Sequence, residues 1–250
     1  MNLPYSALAE CYDRLNSHVP YAEWAQGLAQ RMRSLDVPDG ALVLDLACGT
    51  GNITLPLAAM GYDMIGVDLS PDMLNAARQK PNADRVLWLC QDMRSFELYG
   101  TVGATICCLD SINYLTGRIG LKKCFSLVHN YLDPNGIFLF DVNAPYKFKH
   151  VYGNQEYILE ADGVYCGWKN RYDEASGLCD FDLSIFSERE DGSWHRFDEC
   201  QRERCWSIKT LASQLTACGF AVLEIASSLD GAPVEETSER IFFTCRAIKP

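Results

Sequence analysis

Residues 41–70 read ALVLDLACGTGNITLPLAAMGYDMIGVDLS, and this one stretch does most to fix the architecture. A Val/Leu-rich run at 41–47 leads into two closely spaced glycines, Gly49 and Gly51. A helical segment from about 52 to 60 follows, and Gly61 can end it by taking positive φ. A second apolar run, 62–68, ends in an acid, Asp68. Strand, tight turn, helix and strand in this order form a β-α-β unit. Parallel neighbouring strands require such a crossover, and units of this kind build mostly parallel sheets with helices on both faces.

The pattern continues downstream. Ser70 can cap a helix that has Pro71 at its first position and carries Met73, Leu74, Ala77 and Arg78. Residues 86–90, 104–109 and 137–142 read as further strands, with a helix over 121–132. Two helices precede the unit, at 5–15 and 21–35, broken by Ser17-His-Val-Pro20. From 154 to 206 the periodicity changes to alternation. Asp162-Gly163, Ser176-Gly177 and Asp191-Gly192 punctuate it as hairpin turns, which predicts an inserted antiparallel sheet of about four strands. A helix over 207–218, capped by Ser207, and strands at 220–228 and 239–247 return to the first pattern, the last two as an antiparallel edge. The expected organisation is an α/β core from 1–153 and 207–250, with an N-terminal helical lid and a β subdomain at 154–206.

Charge narrows the ligand. With 22 basic and 33 acidic side chains the net charge is -11, a field that repels a phosphate backbone and argues against nucleic acid. The densest basic stretch, Arg196 to Lys209, is interleaved with Glu199 and Glu203. No apolar run reaches the length of a membrane span, and the N-terminus lacks the pattern of a secretory signal, so a cytoplasmic protein is expected. The 12 cysteines include no C-x-x-C pair and read as inert thiols in a reducing compartment, so no metal site is expected.

Within the β-α-β unit, the glycine turn lacks the third glycine of a dinucleotide fingerprint, since Thr54 stands in its place. That counts against a dehydrogenase. Asp68 at a strand end suits a ribose diol. Asp92 after the third strand can accept from an exocyclic adenine amine, with Met93 packed on the ring. Asp45 just before the turn favours a positively charged ligand over a phosphorylated one.

Leu44-Asp-Leu-Ala-Cys-Gly-Thr-Gly51 resembles motif I of the class I S-adenosylmethionine-dependent methyltransferases. Gly66-Val-Asp-Leu-Ser70 with Met73-Leu74 is similar to their second motif, Gln91-Asp-Met-Arg94 to the adenine segment, and Leu109 to Leu115 to the segment bordering the methyl donor. The likeness covers roughly residues 40–145. It implies a Rossmann-like, mostly parallel seven-stranded sheet and S-adenosylmethionine as cofactor. It also implies a cofactor site drawn from Tyr12, Asp45, Ala47, Gly49, Gly51, Asp68, Leu69, Met73, Asp92, Met93 and Leu109. Tyr12-Asp-Arg-Leu15 is similar to a Y-D-x-L segment whose tyrosine lies over the active site in several small-molecule N-methyltransferases.

Methyl transfer from a sulfonium is a direct displacement, in which the protein chiefly aligns the reactants. Tyrosine hydroxyls can orient an amine, and Tyr12, Tyr21 and Tyr114 are the candidates. His195, opening the last inserted strand, is a further candidate for the acceptor wall; His129 and His150 read as a helix residue and a surface turn. The negative charge and short insertion favour a small-molecule acceptor, an amine in the resemblance, handled by a monomer or homodimer. RNA or protein methylation with a partner's help, and a non-catalytic cofactor-binding regulator, are the alternatives.

Overall fold

The computed structural model describes residues 8–249; the first residues of the helix expected at 5–15 lie outside them. The sequence builds a seven-stranded sheet and a separate four-stranded one. The large sheet contains β1 (Leu42–Leu46), β2 (Asp63–Asp68), β3 (Val86–Cys90), β4 (Val102–Cys107), β5 (Leu132–Asn143), β10 (Phe220–Ala226) and β11 (Arg240–Ala247). The order is β10-β11-β5-β4-β1-β2-β3. Pairs β1–β2, β1–β4, β2–β3 and β4–β5 are parallel, as the β-α-β reading requires. The expected antiparallel edge is refined: β11 runs against both neighbours, β5 and β10, and is interior, so β10 forms the edge.

Among the described residues six α-helices accompany the strands: α1 (Tyr12–Leu15), α2 (Tyr21–Ser34), α3 (Thr54–Ala59), α4 (Pro71–Arg78), α5 (Arg118–Tyr131) and α6 (Ile208–Ala217). Ser70 and Ser207 cap α4 and α6, accepting from the N–H groups of Met73 and Thr210 at 3.2 Å each. Two cores form, one on each side of the sheet. Phe125 of α5 and Leu211 and Leu215 of α6 pack with Phe138, Phe140 and Phe243. On the other side Leu28 and Met32 of α2 meet Val43, Met64, Trp88 and Ile106.

Between β5 and α6 lies the inserted sheet, β6 (Glu156–Ala161), β7 (Val164–Asp173), β8 (Leu178–Glu188) and β9 (Trp194–Arg204), in sequential antiparallel order. Its hairpin glycines, Gly163, Gly177 and Gly192, all have positive φ. The inward residues of β7 and β8, Val164, Cys166, Leu183 and Ile185, cover Leu8, Cys11 and Leu15 of the N-terminal segment. Phe148 and Tyr152 pack under Cys179 and Phe181. The expected surface turn at Lys147–His150 is instead a π-helical turn, Lys147–Tyr152, because fully buried Phe148 anchors it beneath the inserted sheet.

Two glycines are explained by Trp88. Its indole N–H donates to the Ala83 carbonyl at 2.9 Å, which fixes the ring. A Cβ on Gly51 would stand 2.6 Å from the Trp88 ring, and one on Gly66 would stand 2.6 Å from the ring and 3.0 Å from the Cys48 sulfur. Gly66→Ala is therefore expected to cost about 1–3 kcal/mol, as overpacked cores do. A urea midpoint equal to that of the wild type would contradict this packing.

Candidate functional site

The C-terminal ends of β1, β2 and β4 and the start of α1 enclose a cavity of about 410 Å³. Such a volume lies within the range of small-ligand sites, and the ends of parallel strands are where such sites form. Its walls include Tyr12, Tyr21, Asp45, Ala47, Gly49, Asp68, Leu69, Met73, Asp92, Met93, Leu109 and Tyr114. Two residues expected at the site lie elsewhere. Gly51 is buried against Trp88 behind the turn. His195 lines a separate surface hollow with Glu10, Ser187, Glu188, Arg189 and Phe197. His129 contacts the Ile248 carbonyl at 3.1 Å, and His150 lies against the Tyr146 ring, both away from the cavity.

The turn after β1 brings backbone to the cavity. Ala47 and Gly49 have φ of 63° and 56°, a conformation that glycine takes freely and alanine does not. Asp68 at the end of β2 holds the turn. One of its oxygens accepts from the Gly49 N–H at 2.8 Å, the other from the Ser70 N–H at 2.8 Å. Burial raises its pKa and these backbone bonds oppose the rise. Each carboxylate oxygen has a second lone pair, so Asp68 is oriented and still able to accept from a diol.

Asp45 is fully buried and accepts from the Thr54 hydroxyl at 2.6 Å. Desolvation lifts its pKa to about 7; the Thr54 bond opposes this and nearby Asp68 adds to it. Asp92 is gripped by Arg94, whose guanidinium bonds both its oxygens and holds its pKa below the usual carboxylate range.

The loop after β4 is built differently. Leu109 and Asp110 both have φ of 57°, two successive left-handed residues without a glycine. Buried Asp141, near the end of β5, accepts from both their N–H groups, at 2.7 and 3.0 Å. Arg240 of β11 pairs with Asp141 and, at 2.8 Å, with Asp110. No local pattern in the sequence joins Asp141 to Arg240, because the two strands that meet here are far apart in sequence.

A third device covers the cavity. Asp13 in α1 accepts from Thr50 Oγ1 at 2.6 Å and Asn52 Nδ2 at 2.8 Å, and pairs with Lys80 Nζ at 2.6 Å. Burial would raise the Asp13 pKa, and these partners outweigh it and lower it. The adjacent Tyr12 thus sits over the site, with Tyr21 beside it. From the inserted sheet come Cys200, Gln201 and Arg202 of β9, none of them expected from the sequence.

These residues fit S-adenosylmethionine. Three carboxylates face the cavity, while its two arginines are committed to Asp92 and Asp180. That donor set suits a cationic nucleoside without phosphates. Apolar Ile53, Val67, Met73, Met93 and Leu115 line the rest.

Two outcomes are expected. A cationic ligand beside Asp45 lowers a pKa that begins at about 7, so binding releases a proton and strengthens as pH rises through 7. Calorimetry in buffers of different ionisation enthalpy at pH 6.5 reads that proton, and none released would remove Asp45 from contact with the charge. Asp13→Asn weakens the latch. Losing one charge-assisted partner, about 1–2 kcal/mol, should speed cofactor dissociation roughly tenfold in stopped flow. An unchanged rate would show that α1 does not gate the site.

Known proteins bear on the same site. The "Methyltransferase domain" family model matches residues 43–136. YqeM of Bacillus subtilis (strain 168), named for the methyltransferases, is 31% identical over 249 residues, covering 98% of each chain. The crystal structure of an S-adenosylmethionine-dependent methyltransferase from Clostridium acetobutylicum ATCC 824 superposes with a TM-score of 0.87 at 29% identity, over 97% of this chain and 98% of that one. A dTDP-3-amino-3,6-dideoxy-alpha-D-glucopyranose N,N-dimethyltransferase of Streptomyces fradiae is 34% identical over 136 residues, 54% of this chain and 52% of its own. With its glycine turn, strand-end acids and inserted sheet, this chain belongs to the S-adenosylmethionine-dependent methyltransferases.

Proposed function

We propose that the enzyme methylates a small-molecule amine by direct displacement within this cavity. The observation that carries the reading is the composition of the wall beyond the strand ends: Tyr12, Tyr21, Tyr114 and Gln201 bring neutral polar groups together at the mouth. The aminosugar N,N-dimethyltransferase that shares sequence with this chain supports the same class of acceptor. Among the described residues no helix is long and apolar enough to cross a membrane.

S-adenosylmethionine supplies a methyl group already activated on a sulfonium. The chain's residues then have positional work. Among the residues lining the cavity, Asp68 would hold the ribose hydroxyls, Asp92 and Met93 would border the adenine, and the backbone of Leu109 and the glycine turn would face the methionine end. Tyr12, Tyr21 and Tyr114 orient the acceptor nitrogen, whose lone pair forms the new bond as the carbon–sulfur bond breaks. The proton on the newly formed ammonium leaves to water. The Asp13 latch keeps Tyr12 over the site and excludes bulk water.

Turnover tests this directly. Purified enzyme with S-adenosylmethionine and a panel of small amines, aminosugars included, should form S-adenosylhomocysteine and the N-methylated product by mass spectrometry. Cofactor binding without turnover on any amine, but with turnover on RNA or protein, would overturn the acceptor class. Asp68→Ala should weaken cofactor binding by about 1–3 kcal/mol, the loss of charge-assisted bonds. Equal calorimetric affinities for the two proteins would remove the ribose assignment.

A further inference from the structure

The inserted sheet ends in a free edge, and part of that edge faces the cavity. β9 is the last strand of its sheet and has β8 on one side only. In an antiparallel pair, opposed residues alternate between those that exchange both backbone bonds and those that exchange none. The alternation is set at both ends of the β8–β9 pair. The Arg189 N–H donates to the Ser193 carbonyl at 2.8 Å, and the Cys205 N–H to the Gly177 carbonyl at 2.8 Å. The register that places Cys200 opposite Asp182 and Arg202 opposite Asp180 runs unbroken between them. Odd-numbered residues of β9 therefore bond to β8, and even-numbered ones turn their N–H and C=O away from it. Arg204 confirms the parity, since its carbonyl accepts from Asn113 Nδ2, outside the sheet, at 2.8 Å.

Cys200, Gln201 and Arg202 all line the cavity. Gln201 turns its side chain inward and is 7% exposed, while Cys200 and Arg202 lie on the other face, where Arg202 pairs with Asp180. Three consecutive residues with side chains on two faces reach one cavity through what they share, the strand edge. Among the described residues no backbone partner outside the sheet is found for the N–H or C=O of Cys200 or Arg202. The cavity is thus offered donors and acceptors in a row, repeating about every 7 Å along the strand.

We propose that this edge is the acceptor subsite, and that it selects small amines carrying a secondary amide one residue away, as in a dipeptide amide, which add to β9 as a short strand. The inference rests on the methyl-transfer reading above and narrows its acceptor class. In either strand direction one ligand residue donates its N–H to the carbonyl of Cys200 or Arg202 and accepts the Arg202 N–H on its own C=O. An amine without the amide leaves these groups unpaired when the cavity fills, and unpaired backbone groups are costly to bury. The free amine lies beyond the paired residue. There it takes the methyl carbon from sulfur and yields one proton to water, leaving S-adenosylhomocysteine.

The test uses alanylglycinamide and alanylsarcosinamide, which share the free amine. The second has a methyl group in place of the inner amide hydrogen, so it cannot donate to the edge. Binding is measured by ligand-observed NMR on the enzyme saturated with S-adenosylhomocysteine. The wild type should bind alanylglycinamide about tenfold more tightly, against the order of hydrophobicity. With S-adenosylmethionine it should also methylate alanylglycinamide more efficiently than 1-aminopropane. Arg202→Pro removes the edge N–H without touching the ladder, as proline on an edge strand can. Arg202→Ala removes the same side chain and keeps the N–H. The proline variant should bind alanylglycinamide about tenfold more weakly than the alanine variant, while the thermal shift given by S-adenosylhomocysteine persists. Arg196→Pro, at the same parity but away from the cavity, should bind as the wild type does. If Arg202→Pro does not fold, the wild-type ratio of the two probes still decides. Equal wild-type affinities for the two probes, or equal affinities of the two Arg202 variants, would overturn the proposal. Methylation of 1-aminopropane as efficient as that of alanylglycinamide would also overturn it and leave transfer to amines standing. Failure of S-adenosylhomocysteine to bind, with no amine methylated, is a different result, in which the methyl-transfer reading falls and the proposal with it.

Discussion

Left-handed backbone at the ends of parallel strands is the constraint around which this site is organised. Ala47, Leu109 and Asp110 take positive φ without being glycine, a conformation disfavoured for L-residues. It persists because half-buried Asp68 and buried Asp141 collect N–H groups of these turns. Asp68 does this for Gly49 and Ser70, and Asp141 does it for Leu109 and Asp110. The two acids sit on opposite sides of β1, one at the tip of β2 and one near the tip of β5. Each turns a strained loop into a fixed one, and between the fixed loops lies the cavity. The cost of burying Asp141 is offset by Arg240, whose side chain reaches it from the antiparallel β11. The interior position of that strand therefore matters to the site as well as to the sheet.

How much of this was legible in the sequence follows from the range of each interaction. Asp68, the glycine turn and Ser70 lie in one β-α-β unit, so local order announced them. The inserted sheet was legible because hairpin glycines and alternation are local signals too. Arg240 was not, since its partner Asp141 stands 99 residues away and pairing between β5 and β11 leaves no local mark. His195 and Gln201 show a subtler limit. They have the same parity on β9 and so share a face, but they are six residues apart, about 20 Å along a strand. His195 pairs with Ser187 near the hairpin end, and Gln201 pairs with Phe181 near the core. Alternation tells which residues share a face; only the docking of the insertion tells which of them reaches the cavity.

Cysteine usage is explained by packing. Cys107, Cys108, Cys124 and Cys245 are buried in the cores, and desolvation pushes each thiol up, which keeps it protonated and unreactive. Cys107, Cys124 and Cys245 share one core with the stacked rings of Phe138, Phe140 and Phe243, and their small volume fits beside those rings. Cys48 shows the same economy of space, its sulfur lying where a side chain on Gly66 would have to go.

The N-terminal segment ties the two halves of the site together. Leu8, Cys11 and Leu15 bury themselves against the inward face of β7 and β8, and Arg14 donates to the Asp162 carbonyl and to Ser187 of the insertion. On its other side Asp13 grips Thr50 and Asn52 of the glycine turn. Leu8 meanwhile donates to Glu199, which also accepts from Gln201 of the cavity wall. One short stretch of chain thus touches both the glycine turn and strand β9, which line the same cavity. Releasing it would loosen the enclosure and the acceptor wall at once. The glycine turn and β9 are thereby held to one another through a shared element as well as through the sheet between them.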